Sequence, residues 1–369
     1  MLGFNQVLTH LTPGQFLLFI IGALLIYLAI KKDYEPMLLL PIGFGIILAN
    51  IPFSSATAPD GFLTLLYETG IKTELFPILI FIAVGAMVDF TVLLQQPFMI
   101  LFGAAAQFGI FFTIFLGILL GFDLKEAASI GIIGAADGPT SIYVANFFAP
   151  KLLGPISVAA YSYMSLVPII QPPVIRLLTS RQERRIRMQA AVKPVSRRVK
   201  ILFPIAVTMI SGFVAPMSVS LVGSLMFGNL IRVSGVLDRL SKTAQNELAN
   251  LVTLLLGITI GATMTAETFL TPTTLLIFVM GLVAFVFDTA GGVLFAKFIN
   301  LFLKEKVNPM VGAAGISAFP MSARIVQKMA QKEDPTNFIL MQAVGANVAG
   351  QIGSVVAGGI ILSIVGALG

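Results

Sequence analysis

One aspartate, Asp137, stands in a run from Ala127 to Pro150 that carries no other charge. A carboxylate held at the centre of a bilayer costs about 2.5–3.5 kcal/mol on insertion scales, so its presence there needs a compensating function. The adjoining Gly138-Pro139 ends a helix and frees backbone carbonyls beside the acid. Together these groups make a set of hard oxygen ligands, suited to sodium or to a proton. The plain alternative is a helix-capping aspartate in an interfacial turn. Such a cap would not need uncharged apolar chain on both sides.

The next segment holds Tyr161, Tyr163 and Ser165, with Pro168, Pro172 and Pro173 at its far end. Hydroxyls in an apolar helix can ligate a cation or pass a proton, although interfacial tyrosines also serve as membrane anchors. A second unusual stretch runs from Asn308 through Gly312, Gly315, Ser317 and Pro320 to Arg324, supplying an amide, a hydroxyl, helix breakers and a guanidinium. Arg324 either binds a carboxylate bidentately or marks the cytoplasmic end of the element. Asn347 is an amide deep in another apolar run, placed to ligate an ion or to bond a neighbouring helix. Asp89 and Glu267 read as polar helix ends. Asp288 lies inside the apolar run Leu275–Leu303 and must face a cavity or a compensating polar group. The small-residue spacings around Gly350–Gly359 read as close helix packing with no chemistry implied.

These groups must be positioned by membrane helices. Of 369 residues 57% are hydrophobic and 11% charged, against roughly 25% charged in a soluble chain, so lipid is the solvent for most of the surface. There is no cysteine and His10 is the single histidine, which removes thiol chemistry and the ligand sets for zinc or haem. The net charge of +6 is concentrated around Arg176–Lys200, which reads as a cytoplasmic loop, and implies no nucleic acid partner.

Apolar segments fall near 14–31, 36–52, 75–94, 98–121, 127–149 and 152–178, then 201–217, 219–236, 248–269, 273–303, 309–329 and 337–366. The halves match weakly but in order. Ile47–Asn50 faces Met226–Asn229, Gly85–Asp89 faces Gly261–Thr265, and Gly134–Thr140 faces Gly312–Ala318, at offsets of 179, 176 and 178. With all basic stretches placed in the cytoplasm, the fifth segment of each half must enter and leave on one side. The expected fold is therefore an all-α polytopic membrane protein of two inverted repeats, each with about five crossings plus a broken or re-entrant helix. Residues 1–180 form the first repeat, 181–200 the basic loop and 201–369 the second. The broken elements should meet at the repeat interface, in a core that moves elevator-like against a scaffold.

The motifs around Asp137, from Ala160 to Pro173 and from Asn308 to Arg324 resemble those of the β subunit of sodium-translocating decarboxylases (oxaloacetate, methylmalonyl-CoA and glutaconyl-CoA types), over nearly the whole chain. The resemblance implies a membrane subunit that decarboxylates carboxybiotin with consumption of a proton and couples this to sodium export. It implies sodium-binding roles for Asp137, Asn308, Gly312 and Asn347. Tyr163, Ser317 and Arg324 would serve the chemical step, Arg324 also steadying carboxybiotin. It further implies a homotrimer in a bacterial inner membrane, with a biotin carrier subunit, a carboxyltransferase α subunit and a small membrane subunit as partners. The residues by themselves leave open a sodium-coupled solute transporter with no chemical step.

Overall fold

The computed structural model describes residues 9–33, 35–188 and 194–368, in which helices are the only regular structure. The principal ones are α1 (Pro13–Lys32), α2 (Pro36–Asn50), α3 (Leu75–Met87), α4 (Ile100–Ala105), α5 (Phe108–Leu119), α6 (Leu124–Gly131), α7 (Gly138–Phe148), α8 (Leu153–Leu178), α9 (Arg197–Val214), α10 (Val219–Ser234), α11 (Ala249–Ala262), α12 (Pro272–Ile299), α13 (Met310–Ala313), α14 (Met321–Glu333) and α15 (Leu340–Leu368).

Their ends follow local chemistry. Thr12 caps α1 in a reciprocal pair with Gln15, Asp123 caps α6 with Glu126, and Ser196 and Thr271 accept amides that open α9 and α12. Five helical stretches among the described residues are long and apolar enough to cross a membrane: Pro13–Lys32, Pro97–Leu119, Pro216–Ser234, Pro272–Ile299 and Leu340–Leu368. Two further pairs bent by 62° and 66° qualify if each is one broken span. This is a polytopic membrane protein. Accordingly α1 buries Leu18, Gly22, Leu25 and Ala29 on one face while Phe16, Ile20, Leu24 and Tyr27 stand exposed on the other, apolar towards lipid as well as towards protein.

Among the helix pairs that join the halves are two matching crossings, α2 on α11 and α3 on α10. Both depend on glycine. A methyl added to Gly85 would lie 1.8 Å from the Leu225 carbonyl oxygen, and one on Gly228 1.9 Å from that of Ile82. At the other crossing, Gly45 and Gly261 meet the Ile258 and Ile42 carbonyls at 2.2 and 2.1 Å in the same sense. Each crossing is tied by an asparagine amide: Asn50 Nδ2 donates to Met264 O at 2.8 Å, and Asn229 Nδ2 to Val88 O at 2.9 Å. The amide bonds thus equate Asn50 with Asn229, an offset of 179, whereas the glycine contacts equate Gly45 with Gly228, an offset of 183, one helical turn away. A slip of one turn keeps the same face inward, which is why both registers look acceptable in sequence.

Several segments differ from their expected form. The run 98–121 breaks at 106–107 between α4 and α5, without a proline or glycine at the break. The run 309–329 is two helices, α13 and α14, separated by irregular chain from 314 to 320. The basic stretch 181–200 is partly helical: Arg181–Arg184 forms a turn and α9 starts at Arg197. Lys193 lies outside the described residues.

The beginning of that stretch is clamped to the end of α14. Arg184 pairs with Glu333 at 2.8 Å, Arg187 with Asp334 at 2.7 Å, and Lys297 with Glu183 at 3.1 Å. Hydrogen bonds from Thr336 and Arg187 hold the Asp334 carboxyl down at about 2. A carboxyl so lowered contributes stability in full above its ordinary range, and that contribution is lost as pH falls towards 2. Protection of residues 181–187 from hydrogen exchange should therefore persist unchanged from neutral pH down to about pH 5 and fall only in stronger acid. For the crossings, Gly85→Val and Gly228→Val should each destabilise the protein by about 1–3 kcal/mol, read as earlier thermal unfolding in detergent. Gly366→Val, where nothing lies within 4 Å, should have no effect.

Candidate ion-binding site

Asp137 sits where α6 and α7 are interrupted. Ala136 takes a left-handed conformation (φ 51°), turning the chain so that Asp137 becomes the cap of α7. The capping role and the buried site are thus the same feature: the aspartate accepts the Thr140 amide at 3.4 Å, yet it is only 6% exposed. Its Oδ2 accepts the Thr140 hydroxyl at 2.7 Å, the Ser354 hydroxyl at 2.7 Å and the Ser317 hydroxyl at 3.5 Å. Donors to a charged oxygen contribute about 1.5–3 kcal/mol each, enough in sum to offset the insertion cost of the carboxylate.

The second interrupted element comes to the same place. Ser317 N donates to Ala135 O at 3.0 Å, so one break is bonded to the other through the backbone. Behind them runs α15. Asn347 Nδ2 donates to Ala314 O (3.1 Å) and Ile316 O (2.7 Å), and Gln351 Nε2 to the Ser317 carbonyl and hydroxyl, the latter at 2.5 Å. The Ser354 hydroxyl also lies 3.1 Å from that of Ser317. A glycine in each element allows this contact, since a methyl on Gly350 would meet the Gly315 carbonyl oxygen at 2.2 Å. Asn347 Oδ1 is buried without a hydrogen-bond partner among the described residues, an oxygen available to a cation.

Of the sequence candidates, Asp137, Ser317 and Asn347 are brought together. Gly312 stands at the close approach of α13 to α12, its added methyl lying 2.0 Å from Gly292 O. Asn308 is engaged elsewhere: Nδ2 donates to the Arg184 and Ile186 carbonyls at 3.0 and 2.9 Å, and Oδ1 accepts Met310 N. Its nitrogen thus belongs to the linker clamp and its oxygen to the start of α13. The Tyr163 hydroxyl donates to Phe278 O on α12, and it is Tyr161 whose ring lies against the break, 2.1 Å from where a methyl on Gly138 would stand. Nothing is described of the Ser165 side chain. Asp89 and Glu267 are helix-end groups at the surface as expected, Asp89 accepting the Thr91 amide and lying 3.8 Å from Arg232.

Sequence reasoning passed over Thr140, Gln351 and Ser354. Ser354 falls in the stretch assigned to packing alone, and the structure corrects that reading. The signal was available, because Asn347, Gln351 and Ser354 are spaced i, i+4, i+7 and so share one face of α15.

Arg324 opens α14, seven residues after Ser317, and lines a cleft of about 410 Å³ with Arg176, Lys328, Lys332, Pro168 and Pro172. Among the described residues no acidic side chain lines this cleft or pairs with its four cations.

Comparison with known proteins bears on this arrangement. Residues 14–365 match the family described as the Na+-transporting oxaloacetate decarboxylase beta subunit. The chain belongs to that family. It is 53% identical to the glutaconyl-CoA decarboxylase subunit beta of Acidaminococcus fermentans, over 96% of this chain and 94% of that one. With the methylmalonyl-CoA decarboxylase subunit beta of Propionigenium modestum the identity is 50%, over 96% of both. With the oxaloacetate decarboxylase beta chain 2 of Salmonella typhi it is 44%, over 97% and 96%. The chain is thus a β subunit of a sodium-transporting decarboxylase, a component of a multisubunit enzyme, and the solute-transporter reading gives way.

If the hydroxyls around Asp137 set its affinity for a cation, Ser354→Ala removes one charge-assisted bond. The half-saturating sodium concentration for decarboxylation should then rise about tenfold or more. An unchanged sodium dependence would remove Ser354 from the site.

Proposed function

We propose that sodium binds at the crossing of the two broken elements and that the chemical step occurs at the basic cleft beside it. The observation that carries this reading is the buried Asp137 carboxylate, met at one oxygen by hydroxyls of α7, of the 314–320 break and of α15. Asp137 supplies the charge that neutralises sodium, and Asn347 Oδ1 and the carbonyls of the breaks supply neutral oxygens. Asn308 and Gly312 act at a distance, Asn308 through the linker clamp and Gly312 by setting α13 against α12.

Carboxybiotin, delivered by a biotin carrier subunit after carboxyl transfer on an α subunit, docks its carboxylate at Arg324. Arg176, Lys328 and Lys332 strengthen the attraction. Decarboxylation breaks the bond between the carboxyl carbon and the ureido nitrogen; CO2 leaves and the electron pair stays on nitrogen, which takes up one proton. The hydroxyls of Ser354 and Ser317 connect the Asp137 carboxylate to the 314–320 break that precedes Arg324, a short path for that proton. Tyr163, bonded to the Phe278 carbonyl, serves by positioning α12 against α8.

The reciprocal pairing of α2 with α11 and α3 with α10, and the meeting of two broken elements, support inverted repeats. In this arrangement residues 1–180 and 201–369 are the repeats, the broken elements form the moving core, and the crossings belong to an elevator-like scaffold. A homotrimer in the bacterial inner membrane, with a small membrane subunit, completes the assembly.

The test is the assembled enzyme in inverted vesicles, following carboxybiotin decarboxylation and sodium-22 uptake together. Wild type should couple the two. Asp137→Asn should abolish uptake and the sodium stimulation of decarboxylation, whereas Arg324→Ala should raise the KM for free carboxybiotin about tenfold or more, as loss of a charge-assisted bond would. Sodium-stimulated turnover in Asp137→Asn would overturn the assignment.

A further inference from the structure

Asp288 is a second acid in the bilayer interior, which neither the crossing site nor the basic cleft uses. It lies midway along α12 and is fully buried. Its Oδ1 accepts Ile110 N at 3.2 Å, at the first turn of α5, so it caps in trans the helix that restarts after the break at 106–107. Gly109 is required there, since a methyl would stand 2.7 Å from Oδ1 and 2.2 Å from Ala284 O. The other oxygen has no hydrogen-bond partner among the described residues, although a methyl on Gly134 would come within 2.6 Å of it. Gly134 lies three residues before Asp137 in the interrupted element.

A capping bond satisfies one oxygen and leaves the second desolvated and bare, which an ionised carboxylate does not tolerate without a counter-charge. The neighbouring elements provide none by proximity. Helices α4, α5 and α13 and the turn at Ile132–Ala135 carry no titratable side chain. On α8 the Tyr163 ring packs at Gly281, two turns away, with Arg176 near the far end, and α6 has Lys125 and Glu126 only in its first turn. Lys297 of α12 itself is directed to Leu178 O and Glu183. We propose that Asp288 holds a monovalent cation of its own, a proton or a sodium ion, at a site separate from Asp137. Because the carboxylate touches both Gly134 and the start of α5, loading and release of that cation are coupled to displacement of the Asp137 element against α5.

Infrared difference spectra of the purified protein test this, taken on an Asp137→Asn background that removes the first acid. A carboxyl band should respond to a pH step if the cation is a proton, or a carboxylate band to added sodium if it is sodium. Either band should move in Asp288→Glu and vanish in Asp288→Asn. No responsive band would overturn the proposal. In the assembled enzyme with Asp137 intact, Asp288→Asn should shift half-saturating sodium at least tenfold or flatten the pH profile of sodium uptake. An Asp288→Asn enzyme that assembles and keeps both at wild-type values would reduce Asp288 to a helix cap. That failure would leave the Asp137 reading standing, which rests on a different variant.

Discussion

A buried carboxylate shared by three chain segments is the constraint around which the rest is arranged. Asp137 can remain in the interior only while Thr140, Ser317 and Ser354 direct hydroxyls at it. Those three lie on α7, on the break before α14 and on α15, so the acid fixes the relative positions of elements more than two hundred residues apart in sequence. The backbone bond from Ser317 to Ala135 then makes each interruption the partner of the other. Two exposed loops could not meet this way inside a membrane, where unpaired backbone groups must find protein partners.

Close approach is the second requirement. Lipid offers no hydrophobic drive for helices to associate, so contact depends on packing and on buried hydrogen bonds. The glycines at 85, 228, 45 and 261 bring carbonyls of neighbouring helices to within about the width of a methyl group, and Asn50 and Asn229 lock them. Gly292 and Gly312 do the same between α12 and α13. Such contacts are stiff, and they separate a rigid crossing of helices from the polar junction at Asp137, where bonds from hydroxyls can be exchanged.

The membrane class was legible in sequence, and Asp137, Ser317 and Asn347, which the fold brings together, stood out because each is a polar group where lipid forbids one without a partner. Ser354 and Gln351 were legible in principle, through helical spacing, but small residues around them matched a packing stripe equally well. The bonds of Asn308 to the linker carbonyls were not legible, because an amide in a broken element looks the same whether it faces an ion or a linker. The break at 106–107 carries no local signal at all. Just past it, the Ile110 amide is met by the side chain of Asp288, 178 residues away along the chain. The Asn50–Asn229 match holds at the level of bonds, since the two amides reach equivalent carbonyls of Met264 and Val88, while the glycines of the same helices pair one turn apart.

The linker clamp carries a consequence for how the molecule divides. Asn308 and Asn337 both donate to the carbonyls of Arg184 and Ile186, and four arginines (Arg181, Arg184, Arg185 and Arg187) reach Glu333 or Asp334 from the same few residues. The segment that nominally connects the two halves is thereby built into the second half as a surface layer on α14. The linker is held to the same helix that carries Arg324.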